Sequence, residues 1–422
     1  MADYNTAVRK AEQLNRKRRR ESGVEIVNAR MKMSAFLYKG ASSLTNLLLD
    51  GNDRDRNAAL YRWLEQLYAS VDAADYPVVV TGPRSLDDVI ERLISNVNSG
   101  SVDEARPLYW IRNDCVPYEF FLGMNVSQIQ EVLSVYAENN SFEISDWLIF
   151  ASVCDLLEKN GYELTLANLN KMYQLQRDEL ADLFSSAGMQ SAALACSRDS
   201  QEFFRMQQVL QSMMIKFDQL GGRNGSGISI IEKVQKARAE GENMPVFYIP
   251  SSSAYSRDLL EYLSAELRQI SSYTDQILVL ESVGIEQDTK FWKYISRQSG
   301  VHLTLSSSSC LSMLGGGDAE SMFEMLDGIY DFLMILLKST NDIEKLTRNR
   351  SVEYDFVRVS RNVGVEHEFM RFLPRGRHDG YTESIEKRRN LRNEDMAELP
   401  ERGGCIAVSG HTITIYMNMI FD

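Results

Sequence analysis

The chain has 422 residues, 44% hydrophobic and 25% charged, the balance of a globular protein long enough for two domains or one α/β domain with a large insertion. Its net charge of −13 argues against a protein that mainly coats nucleic acid, which needs clustered cations. No apolar run approaches the roughly 20 residues that cross a bilayer, and the N-terminus lacks the apolar core of a secretory signal. Five scattered cysteines (Cys115, Cys154, Cys196, Cys310, Cys405) without a CxxC pair point to reduced thiols, not to disulfides or zinc.

Residues 1–30 read as a polar helical arm, because Ala7 to Arg20 holds good helix formers and no Pro or Gly. It carries the basic cluster Arg16, Lys17, Arg18, Arg19 and Arg20. This is either a solvated helix face or a docking element for acidic lipid headgroups, nucleic acid or an acidic partner. Met33 to Tyr38 reads as a short strand, followed by the small-residue turn Lys39 to Ser43. Leu60, Trp63, Leu64 and Leu67 give Asp53 to Ser70 the spacing of a helix with one buried face. Tyr76 to Val80 is a β-branched strand closed by Thr81-Gly-Pro83, and Ser85 to Asn96 is a helix. This alternation predicts a parallel sheet.

From Tyr118 to Phe217 the pattern becomes helical. Val126 to Tyr136, Ile144 to Lys159, Thr165 to Phe184 and Ser200 to Phe217 read as amphipathic helices, broken at Asn139-Asn-Ser and Asn160-Gly. The glycine-rich stretch Gln219 to Gly227 reads as the return linker. Alternation then resumes, with strands at Met244 to Ile249, Ile277 to Leu280, Val301 to Leu305 and Asp331 to Leu337. Helices are expected at Ser256 to Ile270, Gln287 to Gln298, Asp318 to Tyr330 and Ile343 to Asn349. Arg371 to Arg392 reads as a basic surface loop, and Cys405 to Tyr416 as a hairpin about Ser409-Gly410. The expected division is a basic arm (1–30), the first part of an α/β core (31–117), a helical insertion (118–220) and the second part of the core (221–422).

Two core strands end in polar residues, Leu278-Val-Leu-Glu281-Ser282 and Leu303-Thr-Leu-Ser-Ser307, with Arg297 and Gly300 between them. Open α/β sheets bind ligands at such carboxyl ends. Met322 to Leu337, Leu391-Arg-Asn-Glu-Asp395, Leu399-Pro400 and Gly403-Gly-Cys-Ile-Ala407 follow in order. Together these segments resemble the RecA-like motor domain of the FtsK/HerA superfamily, and most closely the TraG-type coupling proteins of conjugation and type IV secretion. The resemblance implies a RecA-like, mostly parallel α/β sheet with an inserted all-helical subdomain. It also implies a P-loop for ATP and magnesium, with a strand-end acid pair for metal and water.

The sequence departs from that pattern. The P-loop candidate is Lys39-Gly40-Ala-Ser42-Ser43-Leu44-Thr45, where Leu44 stands in place of the lysine that reaches the outer phosphates. Glu281 could hold a metal, but Ser282 replaces the water-activating glutamate and Ser307 the phosphate-sensing glutamine. Each has a plain structural alternative: Glu281 as a strand-end ion pair, the serines as a polar loop, and Arg297 as a surface salt bridge instead of an inter-subunit arginine finger. The four histidines lack metal-type spacing, and no metal site is expected; Glu366-His-Glu368 reads as a solvated edge. The leading expectation is a cytoplasmic or membrane-associated pseudo-ATPase of a bacterial conjugation, secretion or mobile-element apparatus. Expected partners are an active ATPase paralogue or secretion component, with nucleic acid, peripheral membrane or further copies of the chain as other contacts. The alternatives are an active DNA or protein translocation motor with an atypical ATP site, and a structural adaptor without nucleotide.

Overall fold

The computed structural model describes residues 2–32, 47–50, 53–69, 75–98, 106–112, 116–136, 142–198, 200–221, 227–251, 256–272, 274–281, 300–307, 332–335, 351–364, 378–392, 394–395, 398–400, 404–409 and 412–420. In chain order these form α1 (Ala2–Glu21), β1 (Val24–Val27), β2 (Met31–Lys32), β3 (Leu47–Asp50), α2 (Asp53–Ala69), β4 (Val78–Gly82), α3 (Asp87–Asn98) and β5 (Leu108–Trp110). A helical block follows: α4 (Val126–Tyr136), α5 (Ile144–Lys159), α6 (Leu166–Tyr173), α7 (Arg177–Ser186), α8 (Gln190–Arg198) and α9 (Ser200–Lys216). The chain returns through α10 (Ile230–Glu240), β6 (Val246–Pro250), α11 (Ser256–Ser271), β7 (Gln276–Glu281), β8 (Val301–Ser307) and β9 (Phe332–Ile335). It ends with β10 (Glu353–Gly364), β11 (His378–Arg389), β12 (Cys405–Ser409), β13 (Thr412–Tyr416) and β14 (Met419–Ile420).

Among the described residues, ten strands form one sheet in the order β1-β13-β12-β9-β3-β8-β7-β4-β6-β5. From β9 to β5 every neighbour is parallel, and the β12–β13 hairpin closes the far side antiparallel. Parallel strands of this kind are covered on both faces, which is why Val78-Val79-Val80 and Ile277 to Leu280 read as unbroken apolar runs. Alternate residues serve two cores. Val78, Val80, Ile277 and Val279 pack with Leu60, Trp63 and Leu64 of α2 and Ile90 and Leu93 of α3. Val79, Leu278, Leu280, Leu303 and Leu305 pack with Leu259, Leu263 and Leu267 of α11, Ile231 and Val234 of α10, and the helical block. The result is an α/β/α sandwich, stabilised mainly by buried apolar area.

Several sequence expectations change. Met33 to Tyr38, like all of 33–46, lies outside the described residues; the strand at the middle of the parallel sheet is β3, Leu47–Asp50. The helix expected over Thr165 to Phe184 is two helices. Gln176 is extended and caps α7 in a reciprocal box with Glu179, which ends α6 at Tyr173. α8 and α10 were not expected; α10 starts at Ser229, whose Oγ accepts from the Glu232 N–H at 3.0 Å, and stops at left-handed Gly241 (φ 68°). Residues 1–30 are not only an arm, since β1 pairs parallel with β13 at the sheet edge. Residues 378–389 of the expected basic loop are β11, half of an antiparallel ribbon with β10. The helices expected at 287–298, 318–330 and 343–349, and the Glu366-His-Glu368 segment, lie outside the described residues.

Candidate active site at the strand ends

The carboxyl ends of the parallel strands line up in register. Asp50 of β3 is paired with Ser307 of β8, Ser306 with Glu281 of β7, and Leu280 with Thr81 of β4. The sequence-predicted Glu281 and Ser307 therefore stand at the ends of adjacent strands. Since Ile277 and Val279 face α2 and α3, Glu281 does so too, and Ser306 follows Thr304, whose Oγ1 accepts from Trp63 Nε1 of α2 at 2.9 Å.

Glu281 already has a cation. Its Oε1 is 3.0 Å from Nη2 of Arg56, in the first turn of α2, and the two side chains are only 2% and 6% exposed. Gly82 makes room for the carboxylate: a Cβ there would lie 2.8 Å from Glu281 Cβ and 2.5 Å from Leu86 Cδ1. Ser306 is fully buried beside them, its Oγ without a hydrogen-bond partner among the described residues. A metal ion at Glu281 would have to displace the guanidinium from a desolvated site, where a charge separated from its partner is costly.

The phosphate-binding turn of a RecA-like sheet follows its central strand. Here β3 ends at Asp50 and α2 begins at Asp53, so that connection is Gly51-Asn52, downstream of the expected Gly40, Ser42, Ser43 and Thr45. The described strand between two parallel neighbours at the middle of the sheet is Leu47–Asp50, while Met33 to Tyr38 and the expected Gly40, Ser42, Ser43 and Thr45 lie outside the described residues. The segment Asp50-Gly-Asn-Asp-Arg-Asp-Arg56 contains one glycine, no lysine and three aspartates. Sequence reasoning missed Arg56, Gly82 and Ser306. The available signal was Asp-Gly-Asn between three leucines and an amphipathic helix, a strand–turn–helix punctuation. Ser282 and Arg297 lie outside the described residues, as do 39–45; only the backbone of Ser307 is described.

Within the basic cluster Arg18 and Arg19 are bonded into the fold, while Lys17 and Arg20 make ion pairs at the surface. Arg19 is nearly buried: its Nε donates to Asn390 O at 2.7 Å and its Nη2 to Asp395. Arg18 donates to Asp355 O at 3.1 Å, Arg20 pairs with Glu25 at 3.2 Å, and Lys17 with Glu21 at 3.7 Å. A second polar cluster joins the helical block to the core. Tyr118 Oη donates to Glu266 Oε2, and the Phe121 N–H donates to Tyr262 Oη at 3.1 Å. Burial pushes the carboxyls of Glu266 and Glu119 up to about 7. Among the described residues no group of His, Cys, Asp and Glu has metal-binding geometry, and no helix is long and apolar enough to cross a membrane.

These elements define a RecA-like α/β domain with a helical insertion. No protein-family model and no curated protein matches the sequence. Among solved structures, the bacterial conjugative coupling protein TrwBdeltaN70, trigonal form in complex with sulphate, matches at 12% identity and TM-score 0.56, over 97% of this chain and 92% of that one. The plasmid coupling protein TrwB in complex with the non-hydrolysable GTP analogue GDPNP matches at 12% identity and TM-score 0.52, over 96% and 92%. At this identity the likeness shows the fold: this chain has the RecA-like architecture of a conjugative coupling protein.

Proposed function

We propose that the chain is a RecA-like component of a bacterial conjugation, secretion or related mobile-element apparatus that has kept the motor fold and does not hydrolyse nucleotide. The observation that carries this reading is the buried Arg56–Glu281 pair. It neutralises the carboxylate at the position where the motor fold would hold magnesium. The segment from Asp50 to Arg56 supports it, because it holds no lysine, its two arginines are outnumbered by three aspartates, and Arg56 is engaged with Glu281. TrwB has been solved with a GTP analogue, and this chain shares that scaffold.

In this reading the α/β core is a docking platform whose stability does not depend on active-site charges. Its partners are an active ATPase of the same fold or another component of the apparatus, at the cytoplasmic face of the membrane. The internal use of Arg18 and Arg19 favours protein contacts over nucleic acid. The test is phosphate release from ATP and GTP with magnesium, for the wild-type chain and Glu281→Ala. The reading expects both at background; turnover by the wild type that disappears in the variant establishes an active motor with an atypical site.

A further inference from the structure

The ribbon β10–β11 pairs twelve residues per strand, from Glu353↔Arg389 to Gly364↔His378, a length of about 40 Å. Its two outer edges differ. On β10, Val357 turns its backbone away from β11. Its carbonyl accepts from Asn15 Nδ2 at 2.9 Å and its N–H donates to Asn15 Oδ1 at 2.7 Å, so α1 covers that edge. Val357↔Ile385 is thus a pair without mutual backbone hydrogen bonds, and in an antiparallel ladder such pairs alternate. The Asn390 N–H bond to Val352 O at 2.9 Å fixes the same phase. Tyr381, Glu383, Ile385, Lys387 and Arg389 therefore point their N–H and C=O groups outward from β11. Among the described residues no strand pairs with that edge, and Ile385 is 67% and Tyr381 43% exposed.

A long uncovered edge recruits another strand unless its side chains prevent it. The outward residues read Tyr, Glu, Ile, Lys, Arg at every second position. Laid antiparallel on a second copy about Ile385, they set Ile385 on Ile385, Glu383 opposite Lys387 in both halves, and Tyr381 opposite Arg389. A two-fold centred on Glu383 or on Lys387 would oppose like charges instead. With the two-fold at Ile385 the edge is complementary to itself, Glu383 meeting Lys387 twice and no like charges opposed. We propose that β11 is a self-association edge, through which two copies of this chain join their ribbons into a four-stranded antiparallel sheet about a two-fold axis at Ile385. Lys387, already 2.7 Å from Asp355 across the ribbon, is shared between its own carboxylate and the Glu383 of the second copy. The inference is independent of nucleotide chemistry.

Sedimentation velocity of the full chain tests it. The wild type forms a concentration-dependent dimer. Ile385→Pro removes one outward N–H and no ribbon hydrogen bond, and shifts the chain to monomer. Glu383→Lys and Lys387→Glu are each monomeric, since each homodimer would oppose like charges twice. An equimolar mixture of the two restores a dimer, because both cross-pairs are again of opposite sign. The mixing result also separates this edge from misfolding, which no partner would rescue. A wild type that stays monomeric up to its solubility limit overturns the proposal. So does a dimer insensitive to these substitutions, or a mixture that fails to re-associate.

Discussion

Replacing Arg56 by Met removes the partner of a carboxylate that is 2% exposed. At 3.0 Å and an effective dielectric near 20, the attraction between the two charges is about 5–6 kcal/mol. Desolvation of both groups cancels most of that, so the intact pair adds little net stability. Removing one partner leaves the other buried and uncompensated, at a cost of about 3–5 kcal/mol. The same holds for Glu281→Gln, somewhat less because the amide still accepts a hydrogen bond. The double variant Arg56→Met/Glu281→Leu strands no charge and is expected within about 1–2 kcal/mol of wild type. Urea unfolding followed by far-UV circular dichroism over this cycle should give a coupling of at least about 2 kcal/mol. Single variants costing under about 1 kcal/mol, with additive effects, would refute a desolvated pair.

Gly82→Ala pushes a methyl into Leu86 and the Cβ of Glu281, and is expected to cost about 1–3 kcal/mol in the same unfolding assay. Asn15→Ala removes both hydrogen bonds to Val357 and should speed amide hydrogen exchange along β10 while β3 to β8 stay protected. The folded chain holds the Glu266 and Glu119 carboxyls at about 7, above their ordinary 4.5. Between those values the folded state binds more protons than the unfolded one. The contribution of these two groups is therefore full below about pH 4.5 and is lost as pH rises towards 7, by up to about 3 kcal/mol for each group. Glu266→Gln keeps the acceptor for Tyr118 and should flatten that fall by about half. An unchanged slope in denaturation midpoints between pH 5 and 8 would refute the assignment.

The parallel core was legible because buried strands and one-faced helices write themselves as apolar runs and i, i+3, i+4 spacing. Val78-Val79-Val80 with Leu60, Trp63 and Leu64 is an example. The helix breaks at Gln176 and Ser229 were not, although both carry local capping signals, because cap side chains are polar like the loops around them. The ribbon was illegible for a related reason. Glu383, Glu386, Lys387, Arg388 and Arg389 carry charge on both faces, so β11 has no alternation of apolar and polar residues to announce it. At the site, Glu281 could be placed at a strand end from sequence. Its partner Arg56 could not, because that ion pair spans elements far apart in the chain and depends on which apolar run is the central strand.

The claim that the strand-end site is closed to magnesium-nucleotide is tested most directly by isothermal titration of the wild-type chain with ATP and magnesium. The account predicts no saturable heat. A stoichiometric binding isotherm that needs magnesium and is abolished by Glu281→Ala would contradict it.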